Sequence, residues 1–289
     1  MLDSVLFRAA TGKRSRWVTR ALPARRLARR FVAGETASEA VAAADELTGQ
    51  GLSVTFVSLS GDALDEASAA AARDVHLELL RALAPLGLGS RADLTLPLPT
   101  LGQRLPEEGA KIALEHARAV CAAAAEAGVT VTLAAPDADT ADATLATLAT
   151  LRADHPSTGV TLAACLGRTE ADARELIGTD SRARLTKGSD GDVTGEEVDR
   201  AYARVLSTLM GGRGYPMIAT HDRRILDIAG HLATITHGRP NDTFELQLGY
   251  GALPKTQRRL ADEGENVRVC VPFGPYDRTA TLDLLARSR

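Results

Sequence analysis

The sequence predicts a (β/α)8 TIM-type barrel preceded by an N-terminal helical extension. Eight short apolar stretches recur along the chain at a spacing of roughly thirty residues. Ala/Leu-rich segments with helical spacing run between them, and a parallel sheet needs such a crossover for each return. No Gly-x-Gly-x-x-Gly follows the first strand, which counts against the competing doubly wound open sheet.

Residues 1–46 read as a helical segment, broken at Gly34-Glu35-Thr36. Thr36 and Ser38 are both N-cap candidates for a helix through Ala44. Residues 47–289 form the barrel domain. Its first strand is Leu52–Leu59, β-branched and apolar, followed by a helix over Leu64–Ala84. The second is Asp93–Leu98, cut short by Pro97 and Pro99, with a helix over Glu107–Ala127 closed by Gly128. Val129–Ala135 is the third, and its helix, Thr140–Ala153, stops before Pro156. Gly159–Ala164 and Thr169–Ile177 are the fourth pair. Arg182–Thr186 is the fifth strand, with a helix from Gly195 to Met210. Pro216–Ala219 leads into a helix over Arg223–Thr236. Thr243–Leu248 leads into Pro254–Glu263, and Asn266–Pro272 is the eighth strand.

Composition narrows the function classes. With 34 Lys and Arg against 37 Asp and Glu, the formal charge is -3, unlike the basic footprint of a nucleic-acid binder. The local exception is Lys13 to Arg30, which holds no acid. That stretch reads either as a basic amphipathic helix suited to weak association with a membrane or partner, or as a solvated helix packed on the domain. Cys121, Cys165 and Cys270 lie far apart, and no Cys/His cluster points to a metal. Reduced thiols fit a cytoplasmic setting, and no apolar run has the length of a signal peptide or a membrane span.

Active sites of such barrels lie at the C-terminal strand ends. In order these are Ser58/Ser60, Pro97, Ala134/Ala135, Ala163/Cys165, Arg184/Lys187, Thr220/His221, Gln247 and Arg268/Pro272. Strands five to seven offer cations, a hydroxyl, an imidazole and an amide, whereas strands one to four offer almost nothing ionisable. Arg184 and Lys187 flank a Lys-Gly turn that suits a flat, phosphate-bearing anion. His221 stands beside them, or is incidental to a helix cap made by Thr220 or Asp222. Gln247, with Glu245 of the same facing, either bonds the same ligand or belongs to a polar layer inside the barrel. His76, His116, His155, His231 and His237 read as surface residues.

Several motifs carry a resemblance. They are "RFVAGET" at Arg30–Thr36, "LGRTEADA" at Leu166–Ala173, "RLTKGS" at Arg184–Ser189, "YPMIATHD" at Tyr215–Asp222, "FELQLGYG" at Phe244–Gly251 and "VRVCVPFG" at Val267–Gly274. In this order they resemble the proline dehydrogenase family, over nearly the whole chain. The resemblance implies an FAD-dependent oxidoreductase that moves a hydride from proline C5 to flavin N5 and passes electrons to a quinone or other acceptor. It implies that Arg184, Lys187, Gly188, Ser189, Thr220 and His221 lie at flavin-binding positions, with Arg184 stabilising the reduced flavin. It also exposes departures. The family's substrate-binding lysine is Pro97 here, and its acidic residue at strand three is Ala134. Its flavin-bonding glutamine is Ala163, and the tyrosine two residues on is Cys165. The tyrosine closing the Lys-Gly turn is Asp190, and its paired arginines are Asp283 and Leu284. The family implies L-proline or a related amine as substrate, and the less cationic pocket points to an amine without a carboxylate. The alternative is a non-catalytic relative that keeps the barrel as a binding or partner protein.

Overall fold

The computed structural model describes residues 30–134, 137–178, 181–188 and 191–275. Eight parallel strands close into a barrel in sequence order, β1 through β8, with β8 pairing back onto β1. The strands are β1 Ser53–Ser58, β2 Ala92–Pro97, β3 Thr130–Ala134, β4 Gly159–Ala163, β5 Arg182–Thr186, β6 Tyr215–Ala219, β7 Glu245–Gly249 and β8 Val267–Phe273. Helix α1, Ala37–Gly49, precedes β1. The crossovers are α2 Glu66–Leu83, α3 Gly109–Glu126, α4 Ala138–Arg152, α5 Thr169–Glu175, α6 Glu196–Gly211, α7 Arg223–His231 and α8 Pro254–Asp262. A turn of π-helix, Leu232–Thr236, continues α7, where the sequence predicts one uninterrupted helix.

Thr36 is the N-cap of α1. Its hydroxyl accepts from the Glu39 N–H at 3.3 Å, and the Glu39 carboxylate accepts from the Thr36 N–H at 3.1 Å. This reciprocal box satisfies donors that the first helical turn leaves open. Gly34 bridges to Phe273, which ties the entry to α1 onto β8.

The strands are buried on both faces, as parallel strands under helices must be. Their outward residues, such as Phe56, Leu94, Leu133, Leu185, Ile218 and Val269, form the apolar core against the helices. The inward residues are of another kind. Thr55, Asp93, Thr132, Arg184, Glu245, Gln247 and Arg268 are all buried in the bore. Side chains fill such bores, usually with branched apolar residues. Here hydroxyls and ion pairs fill it, so each polar group needs a partner.

Three sequence expectations change. Arg268 stands near the start of β8, below the mouth, because its register partner is Gln247 and it bonds Glu245 (2.7 and 2.9 Å). His76 is 1% exposed and is no surface residue, since it lies on the buried stripe of α2 with Ala69, Ala72, Leu79 and Leu83. Burial lowers its pKa to about 4. Strand β2, read as apolar, holds a buried ionisable residue, Asp93, well below its C-terminal end.

Candidate active site at the barrel mouth

The register places Pro97, Ala134, Ala163, Thr186, Ala219 and Pro272 on the inward face at or near the C-terminal strand ends. These side chains are small or compact, so the top of the bore is a shallow floor without bulky groups. Ala163 is buried, and Gly188 comes so close that a Cβ there would stand 3.0 Å from the Ala163 Cβ.

Arg184 lies one inward position below Thr186 on β5 and is 5% exposed. Its Nη1 donates to Thr95 Oγ1 (2.6 Å) and its Nη2 to Asp93 Oδ2 (2.8 Å) and Thr55 Oγ1 (3.2 Å). The guanidinium thus crosses the bore from β5 to β1 and β2. Its Nε is buried and has no partner among the described residues. The Nε of Arg182 and of Arg239 is likewise buried without a partner among the described residues.

Asp93 anchors this cluster. Besides Arg184, it accepts from Thr55 (2.7 Å), Thr130 (2.7 Å) and Thr132 (2.9 Å). Burial alone would raise its pKa. The positive charges of Arg184, Arg268 and Arg182 and the Thr130 hydroxyl outweigh that and bring it down to about 2. Asp93 was legible only as a polar residue two places before Thr95 in an otherwise apolar strand. That alternation marks an inward-facing pair.

The loops after β5 and β6 form one unit. Lys187 Nζ meets Asp199 Oδ1 at 2.6 Å and Asp222 Oδ2 at 3.4 Å, so its charge is largely neutralised by neighbours. Asp222 also caps α7 by accepting from the Arg224 N–H (3.0 Å). Bonding to Arg224 and the nearby Lys187 charge hold the Asp222 pKa at about 2. Thr220 is buried, and its hydroxyl accepts from the Asp222 N–H (3.1 Å). His221 Nε2 accepts from the Gly249 N–H (2.8 Å), so this nitrogen carries no proton. The imidazole thereby joins the ends of β6 and β7. Tyr202 of α6 supports the same corner, donating to the carbonyls of Leu185 (3.0 Å) and Ala219 (3.3 Å).

Gly188 adopts φ 77°, which favours glycine, and a Cβ there would lie 2.3 Å from Cys165 Sγ. The β4–β5 ladder continues into this turn, with Cys165 N–H donating to the Lys187 carbonyl (2.9 Å). Gln247 donates to Glu245 Oε1 (2.5 Å) and belongs to the polar layer inside the barrel with Arg268. Arg184, Lys187, Gly188, Thr220 and His221 therefore cluster at the β5–β7 side of the mouth. Gln247 lies deeper, and Ser189, Asp190, Asp283 and Leu284 fall outside the described residues.

The polar set suits a flat redox cofactor better than a metal. The described residues contain no group of His, Cys, Asp and Glu able to hold a metal ion. The small residues at the strand ends would leave room for a planar group, and the Arg184 guanidinium lies in the layer below them.

No family model matches the chain. Proline dehydrogenase 1 of Bacillus subtilis is 30% identical over 253 residues, covering 86% of this chain and 82% of that protein. The proline dehydrogenase of Deinococcus radiodurans is 31% identical over 259 residues, covering 86% and 82%. Among solved structures, proline utilization A of Bdellovibrio bacteriovorus, inactivated by N-propargylglycine, superposes with a TM-score of 0.81 at 21% identity, over 91% of this chain. A proline utilization A mutant of Bradyrhizobium japonicum gives 0.72 at 19% identity, again over 91%. The chain spans about a third of the length of those two larger proteins, 32% and 30%, and at these identities they establish the shared barrel.

Proposed function

Because the chain belongs to the proline dehydrogenase family, we propose that it is an FAD-dependent oxidoreductase acting on the CH–NH group of L-proline or a related amine. The observation that carries this reading is the buried Arg184 guanidinium, fixed below small residues at the mouth by Thr95, Thr55 and Asp93. FAD, when bound, would supply the acceptor for the hydride, and with it the two electrons, that leaves the carbon next to nitrogen. The amine nitrogen loses its proton, and the product is the imine.

This chain's residues set the conditions for that transfer. Arg184 places a fixed positive charge where reduction adds negative charge, and its ties to Thr95, Thr55 and Asp93 mean little reorientation is needed. Gly188 would bring the backbone of the turn near the cofactor. Lys187 braces that turn through Asp199 and Asp222. Thr220 and His221 fix the end of β6, where they would help to hold the cofactor, and Gln247 supports the layer below through Glu245. Pro97, Ala134 and Ala163 give the substrate an apolar wall, which favours the ring of a cyclic amine. A quinone or another small acceptor then removes the electrons. No observation supports the alternative of a barrel kept only for binding partners.

Gel filtration after incubation with FAD tests the cofactor assignment. Flavin absorbance should travel with the protein, and Arg184→Met should weaken its retention. Elution of all the flavin at the free-cofactor volume would rule the assignment out.

A further inference from the structure

We infer that Asp93 is a positioning residue for this reaction: it holds the Arg184 guanidinium at one depth in the bore and offsets the positive charge presented to the cofactor. The inference rests on the reading that Arg184 lies against the flavin.

The pair joins opposite sides of the barrel, β5 to β2, at 2.8 Å. The carboxylate is itself fixed. Thr55 donates to one oxygen, and Thr130 and Thr132 donate to the other. Asp93 is fully buried, and these hydroxyls come from the strands on either side of its own. A carboxylate held at both oxygens cannot follow a moving partner. It acts as a post to which the guanidinium is tied, with Arg182 3.8 Å away on the same side.

Charge matters as well as geometry. In a bore closed to water, a carboxylate beside a guanidinium is weakly screened. A group above Arg184 therefore meets less than the full positive charge of that guanidinium, even with Arg182 close by. A bare cation would favour the reduced, more negative cofactor more strongly. Asp93 thus keeps the reduction potential lower than Arg184 alone would set it, which makes the reduced cofactor a better electron donor to the next acceptor.

The test is the midpoint potential of the FAD-loaded full chain, measured by equilibration with reference dyes. Arg184→Met should lower the potential. Asp93→Asn should raise it, shifting the reduced-to-oxidised ratio about tenfold at fixed potential, or about 30 mV for a two-electron couple. Asp93→Glu keeps the charge and should stay near the wild-type value. If Asp93→Asn yields no folded protein, Asp93→Ser carries the same expectation, because it too removes the carboxylate charge. A neutral variant that folds and keeps or lowers the potential overturns the inference, and a purely structural Asp93 would lower the melting temperature alone. Should Arg184→Met leave the potential unchanged, Arg184 does not act on the flavin, and both readings fall. A shift with Arg184→Met but none with the Asp93 variants rejects the inference and leaves the assignment of Arg184 standing.

Discussion

Arg184 depends on its shape as much as its charge. Three N–H bonds reach Thr95, Thr55 and Asp93 in different directions, and a lysine ammonium on a flexible stem cannot reproduce that fork. Arg184→Lys should keep the fold and lower kcat roughly 10- to 100-fold, as expected for one charge-assisted bond lost or misplaced. Steady-state kinetics with retained flavin measures this, and an unchanged kcat would count against the guanidinium's role. Gly188 is a second single-residue test. Gly188→Ala meets Cys165 Sγ and an unfavourable φ together. It should cost about 1–3 kcal/mol in denaturant unfolding, from backbone strain before the contact is counted. The double variant with Cys165→Ala should recover only the contact part. Full recovery would mean that φ is not the constraint. Arg184 and the Gly188 turn were legible as a strand end with cations and a glycine. Their partners were not, because Asp93 lies 91 positions away in sequence and only barrel closure brings it to Arg184.

At the level of elements, local chemistry explains what the sequence revealed. Strand β5 has the predicted bounds, Arg182–Thr186, and the other seven shift by a residue or two at their ends. Alternation was hidden wherever both faces are buried, so most strands read as continuous apolar runs; Glu245 and Gln247 were legible as an inward pair, whereas Thr55, Asp93 and Thr132 were not. The stripe Ala69, Ala72, His76, Leu79 and Leu83 has helical spacing, so the burial of His76 was available to a closer reading of α2. The π-helical turn after α7 has no such marker in composition. The capping box of α1 does, in Thr36 and Glu39. Thr36→Ala should lower stability by about 1 kcal/mol, seen as an earlier unfolding midpoint, while flavin retention is unchanged. An equal loss of flavin would mean that α1 reaches the site.

For the whole molecule, the polar bore sets the response to acid. Asp93 is held at about 2 against an ordinary value of 3.8, and Arg268 with other partners also lowers Glu245. A lowered carboxylate pKa contributes stability that is fully present above the unfolded value and lost as pH falls through the folded one. Unfolding free energy should therefore decline between about pH 4 and pH 2, by on the order of 2 kcal/mol for Asp93 alone. Asp93→Asn should remove that part of the slope. An identical slope in the variant would place the acid sensitivity elsewhere. The overall architecture was the most legible feature, since eight regularly spaced strands with helical crossovers leave few topologies. The order of motifs from Arg30 to Gly274 indicated the family, whereas the substrate depends on side chains converging at the mouth.

The most direct test of the central claim is an anaerobic titration of the FAD-loaded chain, with L-proline and with pyrrolidine, following flavin absorbance. The proposed function predicts bleaching by at least one of these cyclic amines and recovery when an electron acceptor is added. Retained, fully oxidised flavin at saturating concentrations of both amines would contradict it.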